Sequence, residues 1–171
     1  GILLGAVQTK TGWVYEIVDG DRQTDGRSTG DVGFSISAIA SGKTVYVLYD
    51  SVLTLSSNSV ATQGEVRLAK RNTIYPEDWQ YSTVDLGRRE SPIAGFDVAL
   101  SVTGEKIMAA WLGTSSTSPG QADRIRWMDL NDPTSLVEEK LNVAPKSPIA
   151  ISEKSVLYGC EDRLCNFDLA T

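Results

Sequence analysis

Two stretches of this 171-residue chain align without a gap. Gly33-Phe34-Ser35-Ile36-Ser37-Ala38-Ile39-Ala40-Ser41-Gly42-Lys43-Thr44-Val45-Tyr46 matches Gly95-Phe96-Asp97-Val98-Ala99-Leu100-Ser101-Val102-Thr103-Gly104-Glu105-Lys106-Ile107-Met108, from position 33 to position 95, a spacing of 62. Each copy reads as a strand, a tight turn containing glycine, and a second strand. The chain is therefore expected to repeat an antiparallel β unit.

Further matches extend the unit. Asp123-Arg124-Ile125-Arg126-Trp127-Met128-Asp129-Leu130 is in register with Asp162-Arg163-Leu164-Cys165-Asn166-Phe167-Asp168-Leu169, and Trp13-Val14-Tyr15-Glu16-Ile17-Val18-Asp19 pairs with Trp79-Gln80-Tyr81-Ser82-Thr83-Val84-Asp85. One unit then holds four strands: a (33–40 and 95–102), b (44–50 and 106–112), c (65–70 and 124–129) and d (80–86 and 136–143). Val, Ile, Tyr and Trp alternate with polar residues in short runs broken by Gly, Ser and Asp. No segment has a convincing helical period; 133–141 is the best helical candidate and is equally a d strand. Four-stranded units that cannot bury both faces alone are what a β-propeller stacks around a channel. The fold expected is all-β: strands c and d of one blade in 1–20, full blades in 31–86 and 92–143, and an incomplete blade in 145–171. About three blades do not close a ring, so a larger propeller of about six or seven blades is expected, completed by a second polypeptide chain or by more of the same chain.

Composition narrows the function classes. The net charge is −6, which argues against nucleic acid or an anionic membrane as partner. The nearest basic clusters, Lys70-Arg71 and Arg88-Arg89, have acids close by in the same repeat. With no histidine, a Ser-His-Asp or Cys-His constellation and a histidine-containing zinc site are absent from these residues. No cofactor motif is present. Cys160 and Cys165 flank Glu161-Asp162-Arg163-Leu164 on a b–c hairpin, where they form either a disulfide, as in an extracellular protein, or two unpaired core thiols. Two thiols without a third ligand do not make a metal site.

The order Ser37-Ala38, Ser41-Gly42, Val45-Tyr46-Val47-Leu48-Tyr49-Asp50, Leu68-Ala69, Trp79 and Val84-Asp85 resembles the blade repeat of sialidase-like and fungal fucose-lectin-type propellers. Ser155-Val156-Leu157-Tyr158-Gly159 with Asp162-Arg163-Leu164 and Phe167-Asp168-Leu169-Ala170-Thr171 resembles blades of quinoprotein-like propellers. The matched positions are apolar and turn positions. Where the sialidase Asp-box reads Ser-x-Asp-x-Gly-x-Thr-Trp, 40–45 and 101–106 lack its Asp and Trp. The Arg and Glu that hold sugar in fucose-lectin blades fall near Tyr46 or Met108 and on Leu68 or Trp127. No site residue is carried over from either family.

The remaining functional signal is positional. In a propeller the d–a and b–c loops share one face, and here the d–a loops carry Arg22, Arg27, Arg88 and Arg89, while the b–c loops, 51–64 and 113–122, are rich in Ser and Thr. Asp97 opens an innermost strand where the preceding repeat has Ser35, so the repeat does not itself demand an acid there. Asp50 at the end of strand b and Trp111 complete the candidate ligand-binding set. The reading adopted is an extracellular, non-catalytic propeller that binds a carbohydrate or another small polar ligand. The alternatives are part of a propeller glycosidase or lyase whose carboxylates are divided with other blades, and a protein-interaction scaffold.

Overall fold

The computed structural model describes residues 1–20, 31–54, 61–73, 78–86, 94–114 and 122–169. Within them lie thirteen strands and one 3-10 turn, and no α-helix. The strands are β1 (Leu3–Thr9), β2 (Gly12–Asp19), β3 (Asp31–Ser41), β4 (Thr44–Thr54), β5 (Ala61–Asn72), β6 (Gln80–Leu86), β7 (Ala94–Thr103), β8 (Lys106–Gly113), β9 (Arg124–Asp129), β10 (Val137–Lys140), β11 (Pro145–Ile151), β12 (Ser155–Cys160) and β13 (Arg163–Asp168). They form four antiparallel sheets in chain order: β1-β2, β3-β4-β5-β6, β7-β8-β9-β10 and β11-β12-β13.

The repeat is visible in the registers. Ile36 pairs with Tyr49 and Tyr49 with Arg67. Val98 pairs with Trp111 and Trp111 with Arg126 in the same places of the next sheet. The first hairpin follows the same rule: β1 and β2 break register between Leu3 and Leu4, as β5 and β6 do between Val66 and Arg67. Hence β1 stands where β5 stands, and β2 where β6 stands. The turns Gly42 and Gly104 take φ of 57° and 61°, a left-handed conformation that glycine adopts without a steric penalty.

Segment 133–141 resolves its two readings in one place. Asp132 caps a single 3-10 turn, Pro133–Ser135, by accepting from the Thr134 backbone N–H, and the chain then enters β10. The d strand is shorter than the sequence suggests: Leu136 is the C-cap of the 3-10 turn, and 141–143 lie beyond the end of β10. By contrast β4 and β5 run further than expected, with Val52 opposite Gly64 and Leu53 opposite Gln63.

Each sheet buries one face against the next. Leu3, Val18, Val47 and Tyr49 lie between the first two sheets. Leu48, Val66, Val98, Leu100 and Trp111 lie between the second and third. Ala110, Leu112, Ile149, Ile151 and Tyr158 lie between the third and fourth. The first strands of consecutive sheets are neighbours, β3 beside β7 and β7 beside β11. Non-directional apolar burial drives this stacking, and polar links described below set its register.

Cys160 and Cys165 form a disulfide with Cα atoms 5.8 Å apart. It spans the β12-β13 turn, where Glu161 has a φ of 54°. Closing so short a loop restricts the unfolded chain by about 2 kcal/mol. Replacing both cysteines by alanine is expected to lower unfolding stability by about that amount. A urea titration checks this, and a midpoint equal to that of the parent would show that the bridge contributes nothing.

Candidate functional site

Asp31 lies opposite Val52, and Ala94 opposite Gly113. The start of each first strand therefore meets the end of the second strand, and the segments leading into 31 and 94 leave the same sheet edge as those following 54 and 114. Arg22, Arg27, Arg88 and Arg89 fall in those segments and lie outside the described residues. Of the other sequence-derived candidates, Asp50 and Asp97 are brought together near this edge through Ser35, while Trp111 is sealed in the core.

Ser35 joins the two acids. Its backbone N–H donates to Asp50 Oδ1 at 2.8 Å, and its hydroxyl donates to Asp97 Oδ1 at 2.7 Å. Asp97 Oδ1 also accepts from the Val98 N–H, and Oδ2 accepts from the Ile149 N–H, each at 3.0 Å. The Val98 N–H is shared with Ser35 Oγ at 3.0 Å, and the Leu100 N–H reaches Ser37 Oγ at 2.9 Å. Thus Ser35, Ser37 and Asp97 each reach from a first strand to the main chain of the next sheet. An acid at position 97 is a longer version of the serine at 35, still within reach of the neighbouring N–H.

Both acids are buried, Asp50 to 5% exposure and Asp97 to 7%. Burial pushes the Asp50 carboxyl above the ordinary aspartate range. The backbone N–H groups of Ser35, Asp50 and Phe34 oppose that shift, and the Asp97 charge adds to it. The folded state therefore binds this proton more tightly than the unfolded state does. Stability is expected to fall as pH rises from the ordinary value of 3.8 through the raised one. Asp50→Asn keeps an acceptor for Ser35 and removes the charge. It should flatten that part of the profile and leave the protein at least as stable at neutral pH; an unchanged slope in thermal unfolding between pH 4 and 7 would argue against Asp50 as the titrating group.

Trp111 is fully buried, and its Nε1 donates to Asp85 Oδ2 at 2.7 Å. Its ring packs between the second and third sheets, so its position is that of a scaffold residue. Arg126 Nη1 meets the same Asp85 oxygen at 2.5 Å. Burial alone would lower the Arg126 pKa, but the Asp85 charge and hydrogen bond, with Glu138, raise it. Glu138 binds both Arg124 and Arg126. Burial opposes its ionisation, and the two arginines outweigh that cost and hold its carboxyl below the usual range.

The same device occurs one junction earlier. Tyr49 Oη donates to Asp19 Oδ2 at 2.6 Å, and Arg67 Nε lies 3.3 Å from that oxygen. Burial and the Asp19 hydrogen bond raise the Tyr49 pKa, so the phenol stays protonated and donating. Asp19 and Asp85, Tyr49 and Trp111, and Arg67 and Arg126 occupy equivalent positions. In the fourth sheet Tyr158 takes the aromatic place, and its cross-strand partner is Cys165 rather than an arginine. The disulfide therefore stands at the register position of the junction arginine. The recurrence of Asp at 19 and 85 was readable in the sequence; its partners were not, because they lie on other sheets.

No protein-family model, curated protein or solved structure matches this chain. Among the described residues, no group of three or more acids or cysteines is arranged to hold a metal ion. What the edge offers chemically, among the described residues, is a pair of buried carboxylates flanking one serine.

Proposed function

We propose that the four sheets are blades of a β-propeller and that the edge carrying Asp50 and Asp97, with its loops, binds a polar ligand without transforming it. Carbohydrate is the ligand class proposed, in an extracellular setting that the disulfide favours. The observation that carries the non-catalytic reading is the engagement of Asp97: both its oxygens already accept hydrogen bonds from Ser35, Val98 and Ile149. A carboxylate so held ties the first strands of neighbouring sheets together rather than shuttling protons. Recognition then falls to Arg22, Arg27, Arg88 and Arg89, whose planar guanidinium groups suit carboxylates. A glycan array should accordingly show binding to uronic or sialic acids ahead of neutral sugars, weakened by Arg88→Ala with Arg89→Ala. Binding confined to neutral sugars, or indifferent to those substitutions, would remove these loops from the site.

A second reading, a glycosidase or lyase, is favoured by one observation. Asp50 is a buried acid with a raised pKa beside a second carboxylate, the pattern by which carboxylate pairs divide acid and base roles. Turnover of uronic or sialic acid glycosides that disappears in Asp50→Asn would select this reading over simple binding.

A further inference from the structure

The second sheet ends in a polar cavity at a place that the third sheet closes with its own chain. Thr44 is opposite Asn72, Tyr46 opposite Lys70, and Lys70 opposite Gln80. These five side chains therefore share the face that, further along the strands, carries Leu48 and Leu68 towards the third sheet. A cavity of about 240 Å³ lies among them, and Asp78 also lines it. It is at the opposite end of β4 from Asp50, away from the edge discussed above.

The third sheet shows that the repeat does not require this space. Met108 and Asp129 stand where Tyr46 and Lys70 stand, and the register of Trp127 with Val137, continued by two residues, sets Ser135 in the place of Gln80. There the turn Pro133–Ser135 folds back on the sheet. Ser135 Oγ accepts from the Asp129 N–H at 2.8 Å, and Asp129 Oδ1 accepts from the Ile107 and Asn131 N–H groups at 3.3 and 3.0 Å. Polar groups at that end are spent on the chain itself. In the second sheet the stretch from Lys70 to Gln80 is four residues longer than that from Asp129 to Ser135, and a lysine replaces the aspartate. Among the described residues, the side chains of Tyr46, Lys70, Asp78 and Gln80 make no hydrogen bond or ion pair. Arg71, the remaining cation here, is taken up on the other face by Glu16 and by the Trp79 ring, 4.6 Å from its guanidinium.

We propose that this cavity binds one ring of a neutral sugar. Each hydroxyl of a vicinal diol both donates and accepts, and the lining offers both: Lys70 donates, Asp78 accepts, and Thr44, Tyr46, Asn72 and Gln80 do either. The charges of Lys70 and Asp78 cancel, which favours an uncharged ligand. Tyr46 adds an aromatic body for the C–H face of the ring, with a polar tip. The volume lies below the range of pockets that take larger ligands, so a single ring is the unit that fits. This is a second site, of a different ligand class from the arginine-bearing loops, and it stands whether or not those loops bind acidic sugars.

The probes are the methyl glycosides of glucose, galactose, mannose and N-acetylglucosamine, titrated into the isotope-labelled protein and followed by amide NMR shifts. At least one is expected to move the amides of residues 44–46, 70–72 and 78–80, with a dissociation constant of about 1–10 mM. Asp78→Ala combined with Gln80→Ala should weaken that binding by about tenfold or more. Both residues are exposed, so the fold persists, and unchanged amide positions for residues 106–113 verify this. No shift with any of the four glycosides, or equal affinity in the double variant, overturns the proposal. Shifts confined to residues 50–52 and 97–98 also overturn it and assign neutral sugars to the opposite edge. Tighter binding of methyl glucuronide than of methyl glucoside at residues 70–80 overturns the choice of a neutral ligand. Arg88 and Arg89 do not enter this readout, so failure of the loop site and failure of this one are told apart.

Discussion

Trp111→Ala is expected to lower the unfolding free energy by about 3–5 kcal/mol, the usual cost of deleting a fully buried indole. The ring fills the space between the second and third sheets with Leu48, Val66 and Val98, and its N–H is one of the donors to buried Asp85. Two losses therefore coincide: a cavity opens, and a buried carboxylate gives up a hydrogen bond. Trp111→Phe separates them, since it retains most of the apolar volume. It should cost about 1–3 kcal/mol, the range for a buried polar group left short of a partner. Chemical denaturation followed by circular dichroism gives both numbers. Equal costs for the two variants would mean that the Asp85 bond contributes most of the effect.

Arg67→Met carries the second large effect. Arg67 is fully buried, with Asp19 and Glu65 at 3.3 Å. Methionine keeps much of the side-chain length and removes the cation, leaving two buried acids without it. The expected loss is about 3–5 kcal/mol. Adding Asp19→Asn removes one of the stranded charges, so the double variant should cost less than the sum of the singles by about 0.5–3 kcal/mol. Strict additivity in that cycle would show that Asp19 and Arg67 do not interact energetically, despite lying 3.3 Å apart.

How the chain announces its fold, and where it stops doing so, follows from these residues. The ungapped match of 33–46 with 95–108 marks two hairpins because strand alternation and turn glycines are local properties, readable wherever a unit recurs. Trp13, Tyr15 and Asp19 recurring as Trp79, Tyr81 and Asp85 mark the outer strand for the same reason. The facing of a side chain towards a neighbouring sheet is not local. Trp111 in isolation suits a sugar platform as well as a core, and only its opposition to Val98 and its bond to Asp85 place it in the core. Asp97 was legible as an unusual acid in a serine position. That its carboxylate spans to the Ile149 N–H is a property of the fourth sheet, which the sequence around residue 97 does not encode.

The junction chemistry has a consequence for how such an array is ordered. If every sheet met the next through the same apolar contact, any sheet would fit beside any other, and duplicated units would pair out of turn. Instead the interlocks differ: an aspartate grips a tyrosine and an arginine at the first junction, a tryptophan and an arginine at the second, and at the third the Asp97 carboxylate takes the Ile149 N–H while a cross-linked hairpin stands in the place of the arginine. The fourth sheet set beside the second would leave Asp85 facing a cystine where an arginine is needed, a buried carboxylate with no cation, at a cost of several kcal/mol. These junctions work as keys that tell a sheet bearing the arginine from one bearing the cystine, and that part of the succession of units is written in them independently of the loops that join the strands.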